Sequence, residues 1–363
     1  MIDWDTAIAT GVRWARPGPQ VSLSEAREAV DDLRELAAVV AEPVQRVTGM
    51  SGAPDGGVVA VVDRPGWIRA NVDGFRVVLD PLAKHLARSG RAPGGSFVAS
   101  VGSRMTGFQA GLILAYLAGR VLGQYELFLP PDPAAPPDSA PAGRLTLVAP
   151  NIMMVERDLG VDPHDFRRWV CLHEETHRTQ FTSVPWLRGY VQQQMTDLLL
   201  ASDLDPATVL RRLRAAADAV TGAVRGDEER PSVIEAIQTP EQREILDRLS
   251  CVMTLVEGHG DYVMDAVGPE VVPSVEQIRK RFNARRGTAG RGEQALRRVL
   301  GFDLKMKQYA QGSRFVNGVV SEAGMEVFNR VWTSPATLPT KDELSAPGRW
   351  LARVGGSSAA AGA

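Results

Sequence analysis

Cysteine is almost missing from this chain: 363 residues contain two, Cys171 and Cys251. Two thiols cannot build a disulfide framework, and such sparing use fits a reducing compartment. Long hydrophobic runs are missing too. The longest, Gly111 to Gly119, stops at Arg120 and is too short to span a bilayer. Charge of one sign is not in excess: 41 basic against 43 acidic residues leave a net charge of −2. Phosphate backbones need concentrated positive charge, so nucleic acid is not an expected partner. The opening Met1-Ile2-Asp3-Trp4-Asp5 has neither the basic nor the apolar region of a secretory signal. These absences lead to the expectation of a cytoplasmic protein that does not bind membranes. A composition 44% hydrophobic and 23% charged is that of a globular chain, with length for one large or two ordinary domains.

Histidine is also scarce, five in all, yet two of them fall in Leu172-His173-Glu174-Glu175-Thr176-His177. Histidines four residues apart share one face of a helix, so both imidazoles reach one Zn²⁺ at about 2.0–2.1 Å. Glu174 projects about 100° further round and meets the open coordination position, where an attacking water needs a base. Asp162-Pro163-His164-Asp165 supplies the helix start, with Asp162 as cap and Pro163 in the first turn. Phe166 and Val170 continue the histidine face as an apolar stripe. Cys171, two residues before His173, points elsewhere and is read as a small buried hydrophobe.

A catalytic zinc site needs a third protein ligand. The candidate lies in Leu255-Val256-Glu257-Gly258-His259-Gly260-Asp261-Tyr262. Glu257 and Asp261 share a helical face, so Glu257 can bind the metal while Asp261 accepts from the free nitrogen of a ligating histidine. His259 faces the other way and replaces Glu257 as ligand only if Gly258 and Gly260 break the helix. If they do not, the glycines admit the His173 helix at close range. Tyr262 and Tyr309 are candidate oxyanion stabilisers.

Around these motifs the pattern is mostly helical. A helix is expected from about Ser22 to Ala41, with Val30, Leu33, Leu36, Ala37 and Val40 on its buried face. Another starts near Trp67 and bends at Pro81. Thr106 to Glu126 reads as a central core helix whose small residues admit a neighbour. Gly57 to Val62 is a buried strand or a helix start; periodicity does not separate the two. Tyr125 to Leu129 and Leu145 to Pro150 read as paired strands around a proline-rich loop, the second delivered just ahead of the metal helix. Helices are also expected over Met195 to Val224, from Pro240 to Val267, over Gln294 to Phe302 and over Lys305 to Phe328. Ala284 to Gly292 is a basic loop, a solvated surface or a seat for an anionic substrate end.

Four segments carry a likeness to known proteins: Val148-Ala149-Pro150-Asn151-Ile152, the His173–His177 motif, Glu257 to Asp265, and Lys307-Gln308-Tyr309-Ala310-Gln311-Gly312. Together they resemble bacterial zincin-like metallopeptidases, some of them named for an association with deazaflavin coenzyme biosynthesis. The resemblance runs from about Val62 to Trp332. It implies a mainly α (α+β) protein, a multihelical zincin-like core with a small β-sheet or hairpin, holding one Zn²⁺ and acting as a hydrolase. The expected division is an N-terminal helical part over 1–124 packed on the core, a catalytic part over 125–345 and a disordered tail over 346–363. The expected activity is hydrolysis of a peptide or small amide, with His173, His177 and Glu257 on zinc and Glu174 as general base. An extended substrate would pair with the strand ending at Pro150. The rival reading is a zinc-stabilised binding or scaffold protein without turnover.

Overall fold

The computed structural model describes residues 2–52, 57–88, 96–130, 143–201, 239–286 and 302–355; for 81–88, 96–101, 286 and 302–310 it gives the backbone only. Expectations for 202–238, for 287–301 and for the tail beyond Gly355 lie outside the described residues. The protein is mainly α, with one small sheet.

Three helices come first: α1 (Trp4–Trp14), α2 (Leu23–Val39) and α3 (Ala41–Thr48). Ser22 caps α2 in a capping box with Glu25, and of the expected stripe Leu33, Leu36, Ala37 and Val40 are buried while Val30 is half-buried against the same cluster. β1 (Val58–Val62) resolves the ambiguous run as a strand. α4 (Arg64–Arg88) continues past Pro81 as one element, and α5 (Ser96–Ala118) follows. The chain then enters β2 (Gly123–Glu126) and β3 (Arg144–Val148), antiparallel to each other, while β1 pairs parallel with β3 from Val58 opposite Arg144 to Val62 opposite Val148. β3 is therefore the middle strand and β2 an edge.

Two expectations are corrected here. α5 is not central: Met105, Phe108, Leu112 and Ile113 are exposed on it. Its small residues do admit a neighbour, since a β-carbon on Gly111 would lie 2.6 Å from the carbonyl oxygen of Ala7 in α1. The run ending at Pro150 does not lead straight to the metal helix either. Pro150 sits in the first turn of α6 (Ala149–Leu159), where a proline costs no hydrogen bond, and Gly160 in left-handed conformation closes that helix.

α7 (Pro163–Ser183) starts as expected: the Asp162 carboxylate accepts from the amide of Asp165. α7 is buried on most of its circumference, with Phe166, Trp169, Val170 and Leu172 packed against α2, α3, β3 and α6. α8 (Pro185–Leu200) turns back from it, and α9 (Pro240–Ala266), capped by Thr239 with Gln242, crosses it. α10 (Val275–Arg286) and α11 (Phe302–Phe328) follow, then α12 (Lys341–Ser345) and α13 (Pro347–Val354). A second apolar cluster, with Phe315, Phe328 and Trp350 at its centre, joins α8, α9, α11 and the C-terminal helices. α9 contributes to both clusters, so one of its faces meets α7 and another meets α11.

Candidate metal centre

His173 and His177 stand one above the other on α7, and α9 brings Glu257 across to them. Nε2 of His173 lies 3.1 Å from Nε2 of His177, and Oε2 of Glu257 lies 3.5 and 3.6 Å from those two nitrogens. An ion bound at about 2.0–2.1 Å by a tetrahedral set has ligand atoms about 3.3 Å apart. The observed triangle therefore has the dimensions of one tetrahedral face.

The remaining nitrogens fix what that face presents. Nδ1 of His177 meets Oε1 of Gln180 at 3.0 Å, and Nδ1 of His173 meets Sδ of Met264 at 3.1 Å. Both partners are acceptors, so each Nδ1 carries the proton and each Nε2 offers its lone pair inward. Two lone pairs and a carboxylate oxygen aimed at one point repel one another unless positive charge sits among them. The donor set thus fits a divalent cation such as zinc.

The same field favours positive charge on the His177 imidazole itself. Burial works against charging His177, yet the Glu257 carboxylate, helped by Glu174, raises it to about 9. Burial likewise opposes the Glu257 charge, and the two histidines overcome it, holding the carboxyl well below its ordinary value.

Glu174 is buried, with its side chain against β2. A β-carbon on Gly123 would fall 2.6 Å from Cγ of Glu174, so the sheet edge approaches this carboxylate as closely as glycine alone allows. Gly260 plays the same part for the histidines, its missing β-carbon lying 3.1 Å from Cε1 of His173. Gly258 serves a different neighbour: a β-carbon there would lie 2.2 Å from the backbone of Gly312 in α11. The two glycines keep α9 helical and admit contacts on two faces; they do not break it. His259 consequently points away from the metal face. Its Nδ1 accepts from Nε2 of Gln180 at 3.0 Å, and its ring lies between Phe328 and Trp332. Burial, with the charge of His177 adding to it, lowers His259 to about 3.

Asp261 does not reach a histidine. It pairs with Arg279 at 3.0 Å, and Arg279 also holds Asp265 and stands over the Trp169 ring. The role expected for Asp261 falls geometrically to Gln180 and Met264, which the sequence reading missed; Gln180 follows His177 by three on the same helix, a spacing at which side chains meet. Tyr262 packs between the two apolar clusters and does not line the metal cavity. The side chain of Tyr309 lies outside the described residues. The cavity over the triangle measures about 390 Å³ and takes in Gly123 to Tyr125 of β2 together with Trp169, Phe181, Met253 and Phe282. Tyr125 stacks on Phe181 inside it, and burial raises its hydroxyl above the usual tyrosine value.

A histidine pair on one buried helix, a glutamate from a second, and a glutamate beside the first histidine facing an edge strand define the zincin class of metal-dependent hydrolase. The chain belongs to the zincin-like metallopeptidase family, whose pattern matches residues 2–351. It is similar to a solved structure from Chloroflexus aurantiacus described as "a putative hydrolase with a novel fold", at 30% identity over 97% of this chain and 98% of that one, with a TM-score of 0.67. No match was found among curated proteins.

Proposed function

We propose that the protein is a zinc-dependent peptidase in which His173, His177 and Glu257 hold one ion and Glu174 is the general base. The observation that carries this reading is the His173–His177–Glu257 triangle, roofed by a cavity with the edge strand β2 at its rim. Zinc held there would supply Lewis acidity, polarising the scissile carbonyl and bringing the pKa of water to about 7. Glu174 takes the proton of the attacking water and hands it to the leaving amine. Gln180 and Met264 keep both imidazoles in the tautomer that presents Nε2.

The substrate docks on β2. β3, the strand ending before Pro150, is flanked by β1 and β2 and has no free edge for a peptide. β2 pairs with β3 alone among the described residues, and Gly123 to Tyr125 border the cavity, so an extended peptide adds to that edge with its backbone over the metal. Trp169, Phe181, Met253 and Phe282 favour apolar side chains beside the cleaved bond.

The test compares wild type with Glu174→Gln, reading zinc content by metal analysis and cleavage of a diverse peptide library. One zinc per chain is expected in both, with cleavage in wild type and a loss of at least about 10²-fold in the variant. Zinc without cleavage by wild type overturns the peptidase reading in favour of a zinc-stabilised binding protein. Full zinc in Glu257→Ala overturns the ligand set.

A further inference from the structure

A second cavity, of about 450 Å³, is lined by Arg16, Arg64, Arg120 and Arg285 with the rings of Trp14 and Tyr116. No carboxylate lines it among the described residues. The four arginines come from widely separated parts of a chain whose overall charge is balanced, so their convergence is a product of the fold.

Arg64 is the telling member. It is 4% exposed, and the acceptors around its guanidinium are neutral: Oδ1 of Asn151 at 2.7 Å, the carbonyl of Arg16 at 2.7 Å, the carbonyl of Pro17, and Sδ of Met154. A buried guanidinium ordinarily stands against a carboxylate, because desolvating an uncompensated charge is expensive. Here burial itself, and then the neighbouring charge of Arg16, lowers the Arg64 pKa. Arg120 lies flat over the Tyr116 ring, 3.6 Å from its centre, which holds a third guanidinium in place at the rim. Arg285, the first arginine of the basic stretch, lines this cavity and also makes an ion pair with Asp158 at 2.9 Å.

We propose that this cavity is a binding site for a small oxyanion ligand bearing phosphate or carboxylate groups. Guanidinium forks suit both groups bidentately, and a bound anion supplies the counter-charge that Arg64 lacks among the described residues. The site is separate from the metal centre but borders it. Arg120 lines one cavity and the next residue, Val121, the other; Phe282 and Arg285, one turn apart on α10, do the same. A ligand seated here lies beside the roof of the metal cavity, either as the charged end of the substrate or as a separate effector.

The experiment titrates inorganic pyrophosphate and, in parallel, citrate into the full-length protein by calorimetry at near-physiological salt. Saturable binding of at least one is expected, weakened ten-fold or more by Arg16→Ala and by Arg120→Ala and partly restored by Arg16→Lys. Thermal melting of the same variants separates lost binding from lost folding, and Arg16, being exposed, is the variant expected to melt as wild type does. Arg34→Ala, which removes an exposed arginine paired with Asp31, leaves binding unchanged. Equal weakening by Arg34→Ala, retention in both Arg16→Ala and Arg120→Ala, or no saturable binding to wild type overturns the proposal. So does loss of binding in Glu257→Ala with retention in Arg16→Ala, which would put the anion on the metal. None of these readouts requires hydrolysis, so the site can fail while the peptidase reading stands, and the reverse. If peptide cleavage is found, weaker cleavage of acid-tailed peptides by Arg16→Ala with unchanged cleavage of neutral ones assigns the anion to the substrate; equal change in both assigns it to an effector.

Discussion

Gln180 shows how much one neutral side chain can set. Its carbonyl oxygen takes the Nδ1 proton of His177, and its amide donates to Nδ1 of His259 and to the carbonyl of Val256, so one residue orients a candidate ligand and ties α7 to α9. Gln180→Leu keeps the bulk and removes all three bonds; zinc affinity, read by chelator competition, should fall about 10–100-fold, and an unchanged affinity would show that Met264 and packing suffice. His259 gives a pH prediction. Its folded value, about 3, lies below the ordinary 6.5, so the unfolded chain takes up a proton first and stability is lost as pH falls below 6.5. In metal-stripped protein this amounts to about 2 kcal/mol by pH 5, at 1.36 kcal/mol per unit. The raised His177 acts in the opposite sense, contributing fully below 6.5 and losing its contribution as pH rises from there towards 9, and the depressed Glu257 loses its own only below the ordinary carboxylate range; both are common to wild type and variant, so the comparison removes them. Urea unfolding of wild type and His259→Gln at pH 7 and 5 checks this: the variant should lose less stability between the two, and parallel losses would place the acid sensitivity elsewhere. At this scale the pairing of His173 with His177 was legible, because i, i+4 spacing on a helix is a strong geometric rule. Asp261 obeyed the same rule and still went to Arg279, a partner from another helix that spacing within one segment cannot reveal.

Among elements, the crossing of α9 with α11 is the tightest backbone approach near the site. A β-carbon on Gly312 would lie 2.0 Å from the carbonyl oxygen of Thr254, and backbone cannot swing aside as a side chain can. Gly312→Ala should therefore lower unfolding stability by about 1–3 kcal/mol or more and displace Glu257 with its helix. Gly189→Ala, in an exposed position of α8 with nothing within 4 Å, should gain up to about 1 kcal/mol. Denaturant midpoints of the two measure the difference, and equal shifts would mean that the crossing relaxes freely. A helix end was the readable part of these elements: Asp162 was read as the cap of α7 and is its cap, because a short oxygen-bearing side chain answers an orphan amide, as Ser22 and Thr239 do for α2 and α9. What an element packs against was less readable. The apolar stretch of α5 signalled a core helix, yet Gly107 and Gly111 face the N-terminal segment and α1 while Leu112 and Ile113 are exposed. Pro150 was read as a strand end, and an apolar residue pair before a proline looks the same whether a strand stops or a helix begins.

For the whole molecule, the consequence is that the candidate centre is a joint. Seventy-nine residues lie between His177 and Glu257, and the side chains that meet there come from α7, which packs in the first apolar cluster, and α9, which packs in both, with β2 closing the third side. Such a distance hides the pairing from local pattern, since nothing in either segment states that α9 crosses α7. It also makes a bound ion a cross-link between the two helices. A ligand that binds only the folded form stabilises it by RT ln(1 + [L]/Kd), about 4 kcal/mol at a thousand times Kd. Stripping zinc with a chelator should therefore lower the melting temperature by several degrees, and re-addition should restore it. Glu257→Ala removes the only contribution of α9 to the triangle, so in that variant the chelator should shift melting by much less. His164→Ala, at a surface histidine paired with Asp32, should keep the full zinc-dependent shift. The discriminating measurement is the shift between zinc-loaded and stripped protein in all three. If wild type binds one zinc per chain and its melting is indifferent to removal, the ion does not hold α7 to α9, and the apolar clusters alone keep the joint closed.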